Sequence, residues 1–570
     1  MKEFTKNLFE DLKQIITNKA YMIITAITAL LSYGFAITHC SPGIDDISMD
    51  LYLNKGMLPE VGRWTLFLIN KIIHLTQFTP FIFDLLGLII LWISAALFCV
   101  LINRVARERV SLAGYVLFAC FFLTCPLFSE TDIYYLHNCS DLGWLLIALS
   151  LILSYDVIND PKKNIKQTVI KAVSAMLLLW IAVGCYESFM FVFFTALLFI
   201  LLFEAFLKKE KLRFKKLLFT VLYGVICIGC TIILRALICK LLEIVFRFPN
   251  LLSDNVKTRS MGVILGELFS VDSLWSIKEL FIDTIIKYRL NALLYLPVTL
   301  YAGALLILFV VCIVSAVKHK SIGYILIWLG VELIPFVQVY LQGYVFYYRS
   351  AQIVPLTIAF MAIMILSALD PSKKSGKILR GVLCAVYSVL IINCAVMLNH
   401  QFYLDRMRYD NDKWMMREMS EDIYRFAGEN YGEELCVFFA GHMDVPDAFR
   451  EGFYVSENDP RVLLIKKIVG VADPGLSTVH SRISNGKYYY DDEMTFSLYM
   501  WGKEAFDGTN KELMRFINMH GGNFTTIDDK DEITNAKWDA DVLPAWPAEG
   551  SIVQRDGYIL VHVFYGQDSE

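Results

Sequence analysis

Asp45 and Asp46 stand side by side just after the first strongly apolar stretch of the chain, Ala20 to Thr38. That stretch has the ~20 residues needed to cross a bilayer, so the pair lies at the mouth of a membrane span. Carboxylates are costly at such a depth and mark functional positions. Ser41, Pro42 and Gly43 break the helix just before them, which puts both acids in a loop. A solvated turn is the plain alternative. Further polar residues recur at the same kind of position: Glu130, Asp132 and His137 in the segment 129–141, Glu187 in Cys185-Tyr186-Glu187-Ser188, Arg63 in Gly62-Arg63-Trp64, and Arg349 before an apolar run. Together these types suit displacement of a phosphate leaving group by an alcohol. A carboxylate takes the proton of the attacking hydroxyl. Guanidinium groups, or a metal held by carboxylates, steady the departing phosphate.

On that chemistry Asp45 or Asp46 is the base, with Asp45 favoured as the residue nearer the span. Arg63 and Arg349 are the phosphate partners, and Glu130, Asp132, His137 and Glu187 hold substrate. Asp46 and Asp132 form the set open to a divalent cation, Mg or Mn. A hydrated loop accounts equally well for Glu130 and Asp132, and a snorkelling side chain for Arg349.

The elements that must position these residues are helices in a membrane. Apolar residues make up 56% of the chain and mean hydropathy is +0.52. Eleven spans are expected, at 20–38, 80–101, 111–128, 142–156, 168–184, 188–207, 216–240, 291–316, 322–341, 351–369 and 378–398. Every second connection is basic, as with Arg104, Arg107 and Arg109 after the second span and Lys208 to Lys216 after the sixth. By the positive-inside rule residues 1–19 are cytoplasmic, and the acidic pair and residues 400–570 lie outside. Trp64 to Phe78 would reverse this order as a span. It reads better as an interfacial helix with Asn70, Lys71, His74 and Gln77 on one stripe.

The chain divides by charge. Residues 1–399 carry 35 Lys/Arg against 25 Asp/Glu, and residues 400–570 carry 17 against 31. The expected organisation is a short cytoplasmic N-terminus (1–19), a transmembrane catalytic domain (20–399) and an extracytoplasmic α/β domain (400–570). In the last, Trp414 to Phe426 has helical spacing, and Leu435 to Ala440 and Tyr558 to Phe564 read as strands. Most of the thirteen cysteines fall inside apolar spans, where cysteine acts as a small hydrophobe. Cys40, Cys139 and Cys185 sit near outer loops and are open to pairing. No Walker loop, dinucleotide fingerprint, Gly-x-Ser-x-Gly elbow or nucleic-acid patch is present in the sequence, so an ATP-driven pump is unsupported.

Gly43-Ile44-Asp45-Asp46, Gly62-Arg63-Trp64, Tyr186-Glu187-Ser188-Phe189 and Arg349 before a span resemble the bacterial GtrII-type glucosyltransferase family. The resemblance covers roughly residues 20–400. It implies a mainly α, polytopic glycosyltransferase of the GT-C superfold, with the acidic pair as its catalytic centre. It also implies a polyprenyl-phosphate sugar donor but says little of the acceptor; the expected reaction moves a hexose from that donor to a cell-surface glycan. The family often has Gln where Glu187 stands. Topology supports the donor class separately, because a site outside the cell has no nucleotide sugars and a donor made inside must arrive on a lipid. Entry is expected laterally, beside residues 64–78. A transporter or flippase of a lipid-linked glycan, and a polysaccharide polymerase or ligase, are the competing readings. Against transport, the spans hold few charges, chiefly Asp84, Arg235 and Glu332.

Overall fold

The computed structural model describes residues 2–47, 52–72, 80–106, 109–129, 140–159, 165–248, 296–342, 352–441, 455–456, 463, 481–484, 487–490 and 510–563. An amphipathic helix α1 (Lys2–Ile16) leads to α2 (Lys19–Thr38), whose first turn is capped by the Asn18 side chain. A single turn, α3 (Ile44–Ile47), follows, then α4 (Met57–Glu60) and α5 (Trp64–Ile72). The bundle continues through α6 (Pro80–Ala106), α7 (Leu112–Leu123), α8 (Asp141–Asn159), α9 (Ile165–Cys185), α10 (Phe189–Lys208) and α11 (Phe214–Phe246). It closes with α12 (Leu296–His319), α13 (Gly323–Gln342), α14 (Ile353–Ala368) and α15 (Lys374–Ala427).

Each of the eleven expected spans falls on one of these helices. Among the described residues eight are long and apolar enough to cross a membrane, and three shorter apolar helices coincide with the spans at 111–128, 322–341 and 351–369. The chain is a mainly helical, polytopic membrane protein. Helix α10 forms its middle, buried along almost its whole length. Between lipid-embedded helices apolar burial drives little, so close packing holds the bundle together. Trp144 is the clearest instance, set edge-on between Phe122 at 5.0 Å and Phe189 at 5.3 Å.

Two elements differ from expectation. Helix α5 has nine residues, too few to cross, and Trp64, Thr65, Leu66, Phe67 and Asn70 are buried against α9 and α11. Asn70 donates to the Leu66 carbonyl at 2.8 Å, so at that position the polar stripe turns inward rather than toward water. His74 and Gln77 lie outside the described residues. The second difference is α15. The helix expected at 414–426 is the far end of the eleventh span, one unbroken helix of 54 residues. At 1.5 Å per residue it is about 80 Å long, far more than a bilayer needs.

The projecting half of α15 organises the C-terminal α/β layer. Strand β1 (Leu435–Ala440) pairs in parallel with β5 (Phe524–Thr525) and β7 (Ile559–His562), and β6 (Ile552–Gln554) runs antiparallel to β7. The sheet order is β5-β1-β7-β6. A separate three-stranded sheet holds β2 (Val455–Ser456), β3 (Ser481–Ser484) and β4 (Lys487–Tyr490). Two more helices, α16 (Lys511–Asn518) and α17 (Lys530–Ala540), cover the faces of the larger sheet. Alternation along β1 sends Val437 and Phe439 into the cluster with α15 and α16, and Phe438 and Ala440 into the cluster with α17. Burial on both faces explains the uninterrupted apolar run of this strand. Among the described residues no two cysteines form a disulfide, and Cys139 lies outside them.

Candidate active site

The acidic pair occupies α3, a helical turn rather than an open loop. Ser41, Pro42 and Gly43 are buried and lead into it. The Gly43 N–H donates to Asp46 Oδ2 at 2.9 Å. That contact has the form of half a capping box, a carboxylate at the third helical position reaching back to the first free amide. Asp46 is 6% exposed, so one of its oxygens is committed to shaping the turn. The backbone of Asp45 lies on the same turn.

Helix α15 clamps this turn from the side. Arg406 donates to the Cys40 carbonyl, and the Ser41 hydroxyl hydrogen-bonds Asp405. Asp405 in turn accepts from Arg408 at 2.5 Å, both side chains being almost fully buried. Burial pushes the Asp405 carboxyl up, against the opposing pull of Arg408. Gln401, Asp405, Arg408 and Asp412 are all buried, and their spacing of four, three and four residues puts them on one face. Helix α16 touches α3 from the C-terminal layer, so the acidic turn is enclosed by both halves of the chain.

A second set of residues meets across 124 positions of sequence. Arg63 Nε stands 3.5 Å from Glu187 Oε2, and its guanidinium lies 4.4 Å from the centroid of the Tyr186 ring. Arg235, on α11, donates to the Val61 carbonyl at 2.7 Å and the Gly62 carbonyl at 3.2 Å. Gly62 has φ +88, and a Cβ there would fall 1.9 Å from the Arg235 guanidinium, so glycine is required twice over. Thr65 donates to the Ile181 carbonyl at 2.8 Å, and Trp64 stacks on Trp180 at 4.4 Å. A Cβ on Gly184 would strike the Thr65 hydroxyl and the Trp64 ring. Burial raises the Glu187 carboxyl, but Arg63 and then Arg235 outweigh it and hold the group below its ordinary value. The Gly62-Arg63-Trp64 and Tyr186-Glu187 motifs thus form one docked unit.

Residues 34–328 match the model of a protein family described as glucosyl transferase GtrII, and both motifs and the acidic turn fall inside the match. The chain belongs to this family. No curated protein matches the chain. Among solved structures, the archaeal oligosaccharyltransferase AglB from Archaeoglobus fulgidus, in complex with an inhibitory peptide and a dolichol-phosphate, aligns with 80% of this chain and 69% of its own. The identity is 12% and the TM-score 0.39, too low to assign a shared fold.

Within the family member, Glu130, Asp132, His137 and Arg349 lie outside the described residues. The flanks of the 130–139 segment are fixed all the same. Ser129 donates to Gln401 Oε1 on α15 at 2.8 Å, and Asp141 shares a small cavity with Tyr33 and Asp84. Among the described residues no group of three or more His, Cys, Asp or Glu side chains stands together for a metal.

The polar face of α15 is what sequence reasoning missed. Its signal was available: no Gly or Pro occurs between Gly381 and Gly428, and the four polar residues recur at helical spacing.

Proposed function

We propose that the chain transfers a hexose, glucose in keeping with its family, from a polyprenyl-phosphate donor to a cell-surface glycan on the outer face of the cell membrane. The observation that carries this reading is the family match over residues 34–328, which contains the acidic turn and the docked Arg63–Glu187 unit. In this reading residues 20–399 are the catalytic domain, of the GT-C type, and residues 400–570 are extracytoplasmic. Asp45 takes the proton of the acceptor hydroxyl. Asp46 shapes the turn through Gly43 and is the first ligand of any divalent cation. Arg349 steadies the departing phosphate, with Glu130, Asp132 and His137 holding substrate. Arg63 is engaged with Glu187 and Tyr186, which favours a role in fixing the site over free contact with phosphate. A single displacement inverts the anomeric carbon and leaves no sugar on the enzyme.

The test is transfer from synthetic polyprenyl-phosphate glucose by the purified full chain, with NMR of the product linkage. Asp45→Asn is expected to lose ~10²–10⁴-fold in rate, the usual contribution of a general base. Asp46→Asn is expected to lose less, with weaker binding or cation use. Wild-type rates in both variants would return the pair to a structural turn, and a retained configuration would reject single displacement.

A further inference from the structure

A groove of ≈ 560 Å³ runs between α2 and α15, outside the docked Arg63–Glu187 unit. Its volume is that of a small-ligand pocket. Its wall changes character along its length. Its apolar end is lined by Leu31, Ile392 and Val396, each more than half exposed. Toward the acidic turn it is lined by Asn399, His400 and Tyr403. Among the described residues no carboxylate lines it. Ring contacts extend this polar end: Tyr403 lies edge-on to Phe35 at 5.9 Å, and Phe35 stacks on His39 at 4.1 Å.

The groove is continuous with the acidic turn. Helix α2 ends at Thr38 and passes through His39 and Cys40 directly into it. Helix α15 holds the same segment two turns further on, through Arg406 on the Cys40 carbonyl and Asp405 on Ser41. A molecule with a long apolar tail and an anionic head would therefore lie along the groove with its head among hydrogen-bond donors, beside α3. An ordinary membrane lipid would fit the apolar part, but nothing would then require the donor-rich end to adjoin the acidic turn.

Resting on the reaction proposed above, we infer that the groove between α2 and α15 binds the isoprenoid tail of the lipid-phosphate donor and that His39, Asn399 and His400 receive its phosphate. This places donor entry on the α2–α15 side rather than beside residues 64–78. Arg406 shares Asp410 with Lys413, at 2.9 and 2.6 Å, so two cations stand against one carboxylate near the polar end and favour an anionic head.

The experiment uses the purified full chain in nanodiscs. A photoactivatable polyprenyl phosphate is expected to label Leu31, Ile392 or Val396, and unlabelled polyprenyl phosphate should compete it away. Val396→Trp should raise the ratio of KM for a long-chain over a short-chain glucosyl donor about tenfold, the effect of excluding roughly two methylenes from an apolar site. Labelling by photoactivatable phosphatidylcholine to the same extent, without competition, would mean annular lipid only and overturn the inference. So would an equal change of both KM values in Val396→Trp while the wild type transfers sugar. Competed labelling in a wild type that transfers no sugar would instead count against the proposed reaction alone.

Discussion

Gly62 shows how much of the docked unit rests on single atoms. Its positive φ and the 1.9 Å approach of Arg235 to its missing Cβ mean that Gly62→Ala must strain the backbone and unseat a guanidinium. We expect a loss of ~1–3 kcal/mol from the backbone alone, read as a lowered unfolding midpoint. Unchanged stability would show that Arg235 is free to move aside. Glu187 yields a pH prediction with a definite sign. Its carboxyl is held below its ordinary value, so it stabilises the fold above that value, and the contribution is lost as pH falls through the depressed one. Glu187→Gln should therefore be less stable than wild type by a constant margin across pH 5–8, a margin that shrinks only below about 4.3. A gap that closes near neutrality would mean that the carboxyl is not held down. Both residues were visible in the sequence, Glu187 through the brevity of its turn and Gly62 through its motif. Their meeting was not, because 124 residues of chain separate Arg63 from Glu187 and no local pattern encodes the contact.

Helices were legible where hydropathy is uniform, which is why each expected span coincides with a helix. Misreading came where a helix changes environment. On α15 the apolar pattern stops near residue 398 because the solvent changes, not because the helix ends. Trp414 to Phe426 then looks like a new element. On α5 the polar stripe was expected on one face, whereas Asn70 turns inward where the helix meets α9 and α11. The same helix-through-interface design explains the polar face at 401, 405, 408 and 412, which packs against the acidic turn and Ser129 instead of lipid. Asp405→Ala removes the carboxylate facing buried Arg408 and is expected to cost ~3–5 kcal/mol. The double variant Asp405→Leu/Arg408→Met should recover much of that loss, since apolar side chains of similar volume often replace a buried pair at little cost. Thermal unfolding of both would decide this, and a double variant as unstable as the single one would show that the pair is needed for more than its mutual charge. If Asp405 also positions the acidic turn through Ser41, the double variant regains stability without regaining transfer.

At the scale of the molecule, charge and shape must agree on sidedness. The membrane half carries an excess of basic residues and the remainder an excess of acidic ones, 17 Lys/Arg against 31 Asp/Glu after residue 399. Lys208 and Lys216 both reach Glu204, one basic and acidic cluster at the end of the bundle opposite the acidic turn. Helix α15 passes from its basic start at Lys373, Lys374 and Lys377 to the acidic turn and on into the α/β layer without reversing. The C-terminal layer therefore lies on the same side as Asp45 and Asp46, whichever side that is. The positive-inside rule predicts that this side is the outside. Trp538 offers a direct test, being 71% exposed on α17 and remote from the acidic turn in sequence. In a cysteine-free background, Trp538→Cys should react with a membrane-impermeant maleimide in intact cells, and Lys6→Cys only after permeabilisation. The reverse pattern would put the acidic turn in the cytoplasm, where nucleotide sugars are at hand, and would remove the topological reason for a lipid-borne donor.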